Sequence, residues 1–178
     1  MKFLKIRDVK SPERGTKLSS WIDFFVPNRV DSMREEITFT AKNYCAQDGM
    51  REDFIEDNCI RLNPWMWVLI PSWLRVILPK WWDTYTYEMV LYNKSWIAVK
   101  QNLLVWAQVI DNDYRWEFNI HLINTWNWTV FIEWWQKIAQ WIIRRVELFS
   151  PMEILEWEFN KDSDTERGEW WFWSTWTK

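Results

Sequence analysis

Thirteen residues, VWAQVIDNDYRWE from Val105 to Glu117, hold the densest chemistry-bearing pattern in the chain. Apolar Val109 and Ile110 lead into a carboxylate, Asp111, and the polar pair that follows ends at Tyr114 and Arg115. Such a run predicts a β-hairpin whose bend gathers a carboxylate, an aromatic ring and main-chain amides around one pocket. A carboxylate placed there suits general-base work on a water molecule, provided the water lies within one hydrogen bond. An ordinary surface hairpin with acidic turn residues shows the same pattern, so this segment alone does not decide between them.

The last residues, RGEWWFWSTWTK from Arg167 to Lys178, pose a different problem. Trp170, Trp171, Trp173 and Trp176 crowd a short polar tail; written with glycine in their places it becomes RGEGGFGSTGTK, a flexible segment able to wrap phosphate with its amides. Composition repeats the oddity. The chain has 19 Trp and 3 Gly, whereas average usage in a chain of this length gives about 12 Gly. Trp73 follows Pro71-Ser72, Trp126 sits in INTWN between two strand-like runs, and Trp116 ends the hairpin. These are sites where a backbone needs positive φ or close approach, which glycine supplies without steric cost. Rings used for stacking or anchoring would follow one face of an element, and these follow turns. The codon UGA is read as Trp in one variant genetic code and as Gly in another. A gene translated with the wrong one of these would show Trp at its UGA-encoded glycines, while Gly15, Gly49 and Gly168 survive by using ordinary glycine codons. Trp82 and Trp128 are the residues expected to be authentic tryptophan.

The elements that must position these groups are almost wholly β. At 178 residues the chain suits one domain with a real core. Runs with strand character lie at Phe3–Ile6, Ile22–Val26, Glu36–Thr40, Val68–Ile70, Leu74–Leu78, Tyr85–Leu91, Phe118–Ile123, Thr129–Ile132 and Lys137–Val146. Short strands at that spacing imply a sandwich, jelly roll or barrel. Asp48–Asn58 is expected to form a helical turn or two within an insertion. After Pro151 the acidic polar run suits a mobile arm with no core residues of its own. The expected division is a β domain over 1–150, with an insertion at about 37–64, and an arm over 151–178.

Charge and cysteine usage narrow the function. With 22 basic and 25 acidic residues the formal net charge is −3, which disfavours a general nucleic-acid surface and leaves a local site to hold any polyanion. Cys45 and Cys59 have no metal-type spacing and no leader accompanies them, so reduced thiols and a cytoplasmic location are expected. Trp65–Trp82 imitates a membrane span but is broken by Pro71, Ser72, Arg75, Pro79 and Lys80, which fit two short strands around a turn. No membrane role is expected. His121, alternating within FNIHLIN, is expected to be a packed or interfacial residue and no ligand.

With Trp read as Gly, the chain resembles the homotrimeric dUTP pyrophosphatase (dUTPase) family, all five of whose motifs occur in order. SSWID (Ser19–Asp23) resembles the first and NKSW (Asn93–Trp96) the second, where Lys94 and Asn93 replace the usual Arg and Pro. VIDNDYRWE (Val109–Glu117), WQKIAQ (Trp135–Gln140) and RGEWWFWSTW (Arg167–Trp176) resemble the third, fourth and fifth. Lys94 keeps the charge but loses bidentate geometry on phosphate.

The resemblance implies a dUTPase-like jelly-roll or β-barrel (β-clip) fold, a homotrimer with active sites between subunits, and hydrolysis of dUTP to dUMP and pyrophosphate with Mg²⁺. It implies Asp111 as the general base and Tyr114 under the deoxyribose. Backbone groups from Val105 to Val109, Trp106 included, would read uracil. Lys94, Ser95 and Gln140 would bind phosphate, and Asp23 would support the Mg²⁺ water shell. From the arm, Phe172 would stack over uracil while Arg167, Ser174 and Thr175 hold the γ-phosphate. Two other classes remain: a dCTP deaminase of related fold, and a non-enzymatic aromatic-rich β domain if the tryptophans are genuine. A non-glycine residue forced into left-handed backbone costs roughly 1–2 kcal/mol, and an overpacked one about 1–3. Repeated along a domain stable by roughly 5–15 kcal/mol, such costs predict that the chain as written neither folds well nor catalyses, and that its glycine-bearing form does both.

Overall fold

The computed structural model describes residues 1–27, 55–56, 59–80 and 84–162, with 55–56 and 160–162 described through their backbone alone. In chain order the elements are β1 (Lys2–Lys5), β2 (Glu13–Arg14), β3 (Ile22–Phe25), β4 (Ile55–Glu56), β5 (Cys59–Leu62), β6 (Trp67–Pro71) and β7 (Leu74–Ile77). There follow β8 (Tyr85–Asn93), α1 (Ser95–Gln101), β9 (Leu103–Val105), β10 (Val109–Ile110), β11 (Asn119–Asn124), β12 (Val130–Glu133), β13 (Lys137–Glu147) and α2 (Glu156–Asp162). The chain divides into two units, Met1–Leu148 and Phe149–Lys178.

Every pairing among the described strands is antiparallel, in a jelly-roll-like set of sheets ordered β1-β7, β10-β8-β13-β3-β2, β6-β11-β9 and β12-β5-β4. Period-two patterning is the reason. In β11, Ile120, Leu122 and Asn124 point into the core while Asn119, His121 and Ile123 do not; β7 alternates buried Leu74 and Val76 with exposed Arg75 and Ile77. The inward sets meet in one core that includes Phe24, Ile60, Leu62, Ile70, Met89 and Trp141. Strand β13 is the longest and is paired on both sides, with β8 from Ala139↔Asn93 to Glu147↔Tyr85 and with β3 from Lys137↔Phe25 to Trp141↔Ile22. A bulge between Lys137 and Ala139 shifts the register on the β3 side.

The membrane-like stretch is two strands, β6 and β7, around a turn at Ser72-Trp73. No helix among the described residues is long and apolar enough to cross a membrane. The remaining strand expectations on described residues hold to within one or two residues at each end. Three differ or fall away. The helical turn expected over Asp48–Asn58 is corrected at Ile55–Glu56, which form a short strand against β5; the rest of that segment, and Glu36–Thr40, lie outside the described residues. The arm contains a helix, α2, with Glu156 and Glu158 in its first turn, where the helix dipole favours negative charge. Helix α1 was not foreseen, because its seven residues are too few for a 3.6-residue period to show. It buries Ile97 and ends at Asn102, a left-handed cap whose N–H is bonded to the Ala98 carbonyl oxygen.

Left-handed backbone recurs where strands reverse. Besides Asn102, the non-glycine residues with positive φ among those described are Trp65 (61°), Trp73 (55°) and Trp135 (64°), standing respectively before β6, between β6 and β7, and between β12 and β13. Trp73 therefore has the conformation expected of it. Trp116 and Trp126 do not: neither has positive φ, and at Trp126 an Asx-type bond from its N–H to Asn124 Oδ1 (2.9 Å) makes the turn instead.

Asn124 is the polar pin of this core. It is wholly buried, donates from Nδ2 to the carbonyls of Leu62 and Trp128 (both 2.9 Å), and accepts from Trp126 N–H. Asn124→Ala strands two buried carbonyls and one amide, each worth roughly 1–3 kcal/mol if left unsatisfied. Equilibrium urea unfolding is expected to show a loss of about 2–4 kcal/mol; a loss below half a kcal/mol would mean the three contacts are dispensable.

Candidate active site

The residues expected to act fall into two groups, one beside β10 along one edge of β8 and one around Asp23, near the C-terminal end of β8. The first belongs to the loop after β10; the β-hairpin expected over Val105–Glu117 is corrected, because β9 pairs with β11 and β10 with β8, and the two strands lie in different sheets. Pairing of Val109 with Val90 and Ile110 with Met89 holds that short strand on β8, and the Gln108 carbonyl accepts the Leu91 N–H at 2.8 Å. Asp111 then leaves the sheet at an exposed turn in which the Tyr114 N–H is bonded to its carbonyl (3.2 Å). The Tyr114 hydroxyl donates to the Glu117 carbonyl at 2.8 Å, so the ring is tied to the far end of its own loop. Asp111, Tyr114 and Val109 line one cavity of about 350 Å³ with Leu91, Ala107, Ile110, Phe118 and Asn119. An apolar floor, one carboxylate and one phenol at the rim make a slot suited to a flat ring with a polar sugar edge.

Two contacts brace that loop. The Asn93 side chain accepts the Val105 N–H at 2.5 Å, and Glu117 Oε1 accepts the Trp73 N–H at 2.7 Å. Burial raises the Glu117 carboxyl above its ordinary range, against the lowering pull of the Trp73 amide and of Arg7 and Arg75. Neither bracing role was legible beforehand, since each joins residues brought together only by sheet registration. Trp106 presents its N–H to the His121 carbonyl (3.0 Å), and its ring, 65% exposed, stacks over His121 at 6.1 Å. His121 also meets Trp67 edge-on, with its Nε2 buried and unpartnered. It is a packed residue.

The second group surrounds Asp23, which is buried on β3. Its Oδ1 receives Lys94 Nζ at 2.8 Å and its Oδ2 receives Lys137 Nζ at 3.1 Å; Lys137 also reaches Glu13 at 3.1 Å. Glu13 first, and then Asp23, hold the Lys137 ammonium above the usual lysine range. Gln140 lies opposite Asp23 on β13 and donates from Nε2 to the Asn93 carbonyl at 3.1 Å. Ser95, exposed, opens α1 directly after Lys94. Lys94 and Lys137 line a second cavity of about 350 Å³ with Trp96, Ile97, Gln101, Phe131, Glu133 and Gln136. Lys137, inside the fourth motif, was given no role in advance; only the β13–β3 register shows that it shares a carboxylate with Lys94. The two cavities have no lining residue in common. Arg167, Phe172, Ser174 and Thr175 lie outside the described residues.

Among the described residues no three His, Cys, Asp or Glu side chains gather as a metal cluster. Asp23 offers hard oxygen, but both of its oxygens already face ammonium groups, which leaves neither open for direct contact with a cation.

Comparison with known proteins bears on the family and the fold. A family model described as dUTPase matches residues 83–176, more than half of the chain. No curated protein matches the sequence. Among solved structures, the dUTPase of Staphylococcus bacteriophage 80alpha, in a complex with dUpNHpp, superposes with a TM-score of 0.66 at 19% identity, covering 98% of this chain and 96% of its own. The dUTPase of the Staphylococcus aureus phage phi11 gives 0.59 at 17% identity over 87% and 95%, and native EIAV dUTPase 0.57 at 18% over 84% and 94%. Identities this low speak to the fold.

His121 supplies a pH signature. Burial lowers its pKa from 6.5, so the folded chain binds fewer protons than the unfolded one as that value is crossed, and stability falls as pH drops through it. Replacing it by Phe is expected to flatten that part of the stability curve in urea titrations; an unchanged slope would assign the pH dependence to other groups.

Proposed function

The chain belongs to the dUTPase family, and on that premise we propose that its hydrolysis of dUTP to dUMP and pyrophosphate is driven by Asp111 as general base. The observation that carries this is the shared cavity: Asp111, Tyr114 and the backbone before Val109 meet around one slot of nucleoside size. Uracil enters against the main chain of Val105–Val109, where hydrogen bonding by backbone groups at the floor selects its edge. Tyr114, fastened to the Glu117 carbonyl, lies below the deoxyribose and leaves no room for a 2′-hydroxyl. Asp111 takes a proton from a water; the water oxygen bonds to the α-phosphorus, the bond from that phosphorus to the α,β-bridging oxygen breaks, and pyrophosphate leaves.

Lys94, Ser95 and Gln140 meet the phosphates, and Lys137 joins them through the carboxylate it shares with Lys94. Mg²⁺ fits this donor set through its waters, with Asp23 supporting the shell; when bound it neutralises charge on the triphosphate. For the arm, the family resemblance assigns Phe172 to the base and Arg167, Ser174 and Thr175 to the γ-phosphate. The enzyme is expected in the cytoplasm, where nucleotide pools are made.

The resemblance implies a homotrimer with sites between subunits. The separation of the base-bearing and lysine-lined cavities within one chain supports a shared site, in which one copy's loop supplies Asp111 and Tyr114 while a second copy brings Lys94, Ser95 and Gln140.

With glycine at positions 170, 171, 173 and 176 so that the arm can close, Asp111→Asn is expected to lower kcat for pyrophosphate release from dUTP by roughly 10²–10⁴-fold at unchanged Tm. Mixing Asp111→Asn with Lys94→Ala chains should restore part of the activity neither has alone. Full activity in Asp111→Asn would remove it from the base role, no recovery on mixing would place each site within one subunit, and ammonia release from dCTP would replace hydrolysis by deamination.

A further inference from the structure

We infer that Trp65, Trp73 and Trp135 stand at positions which the cell that makes this protein fills with glycine, because its ribosomes read UGA codons there as glycine. The backbone carries the inference, and no assignment of function enters it. Four non-glycine residues among those described have positive φ: one is Asn102, whose short amide tolerates that region, and the other three are tryptophans. Bulky side chains are genuine outliers there.

The described glycine behaves the other way round. At Gly15 a Cβ would meet nothing within 4 Å and no left-handed φ requires its absence, so any residue fits. Glycine thus stands where it is not needed, and the largest side chain stands where only glycine is free of strain.

Each of the three amides is also committed. Trp65 N–H donates to the Asn124 carbonyl (2.9 Å), Trp135 N–H to the Val26 carbonyl (3.0 Å) and Trp73 N–H to Glu117 Oε1 (2.7 Å). The chain cannot relax these residues into an ordinary conformation without stranding a partner. A tryptophan in ordinary strand conformation, Trp141, looks different: it is wholly buried in mid-strand and stacked on Phe24 at 5.8 Å, with no positive φ.

Selection for an indole at the three bends is the competing account, and their burial argues against it. Trp65 is 61% exposed, Trp135 is half-buried beneath Lys10, and Trp73 is wholly buried. No common environment unites the rings; the backbone conformation does.

The gene and the protein decide the matter together. UGA at codons 65, 73 and 135, with the glycine mass in the corresponding peptides of protein purified from its own cells, is expected; UGG codons or tryptophan-bearing peptides overturn the inference. Strain is read separately at the exposed site. Trp65→Gly is expected to raise Tm by roughly 2–8 °C, whereas Trp65→Ala keeps a Cβ in the left-handed region and gains clearly less. Equal gains from both would trace the effect to the ring and overturn the backbone argument. Should the tryptophan chain not fold, the triple glycine and triple alanine forms are compared by refolding yield. The glycine form is expected to recover and the alanine form to lag; equal yields again count against the inference. None of these readouts depends on the enzyme being a dUTPase, so failure here leaves the catalytic proposal standing, and the reverse.

Discussion

A reciprocal pair of main-chain bonds, Val26 N–H to the Gln136 carbonyl (2.9 Å) and Trp135 N–H to the Val26 carbonyl (3.0 Å), ties the end of β3 to the bend that starts β13. Because β13 is paired on both flanks, the position of that bend sets the register of the largest sheet. Residue 135 must be left-handed for both bonds to form, and the bulge after Lys137 then places the Lys137 ammonium over Asp23. A buried carboxylate needs partners or its charge is costly. Here Lys137 and Lys94 supply them, so a backbone requirement at one bend reaches the electrostatics around Asp23.

The group around Asp111 and Tyr114 depends on the same sheet by another route. Strand β8 lies between β13 and β10, so the loop bearing Asp111 and Tyr114 inherits its placement from β13 through β8. At the far end of β8, Asn93 accepts from Val105 and gives its carbonyl to Gln140, touching both groups at once. The loop's outer end is held by Glu117, whose acceptor role is filled by the amide of left-handed residue 73. Two of the three strained bends therefore feed directly into the site: one through sheet register, one through a single carboxylate. The third, at residue 65, serves the core by donating to Asn124, whose side chain closes the neighbouring turn.

Strands were legible because inward and outward residues alternate, and β7, β11 and β12 show that period plainly. Helix α1 was not, being shorter than two turns of pattern. Asp111 and Tyr114 could be picked out because their loop is contiguous, so a local motif already contains the geometry. Lys137, Asn93 and Glu117 could not, since their partners lie at residues 23, 105 and 73 and only strand registration brings these together. Turn chemistry was partly legible: Trp73 has the left-handed backbone expected of it, while Trp126 is turned by the Asn124 side chain without positive φ.

Patterning and order of motifs by themselves determined a β protein resembling the dUTPase family, because patterning, turn residues and motif spacing are local properties of the chain. Which bends are truly left-handed, which lysines share the Asp23 carboxylate, and that the two groups of site residues line separate cavities were decided by tertiary structure alone. These depend on φ angles and strand register, and both are set when distant segments hydrogen-bond to one another.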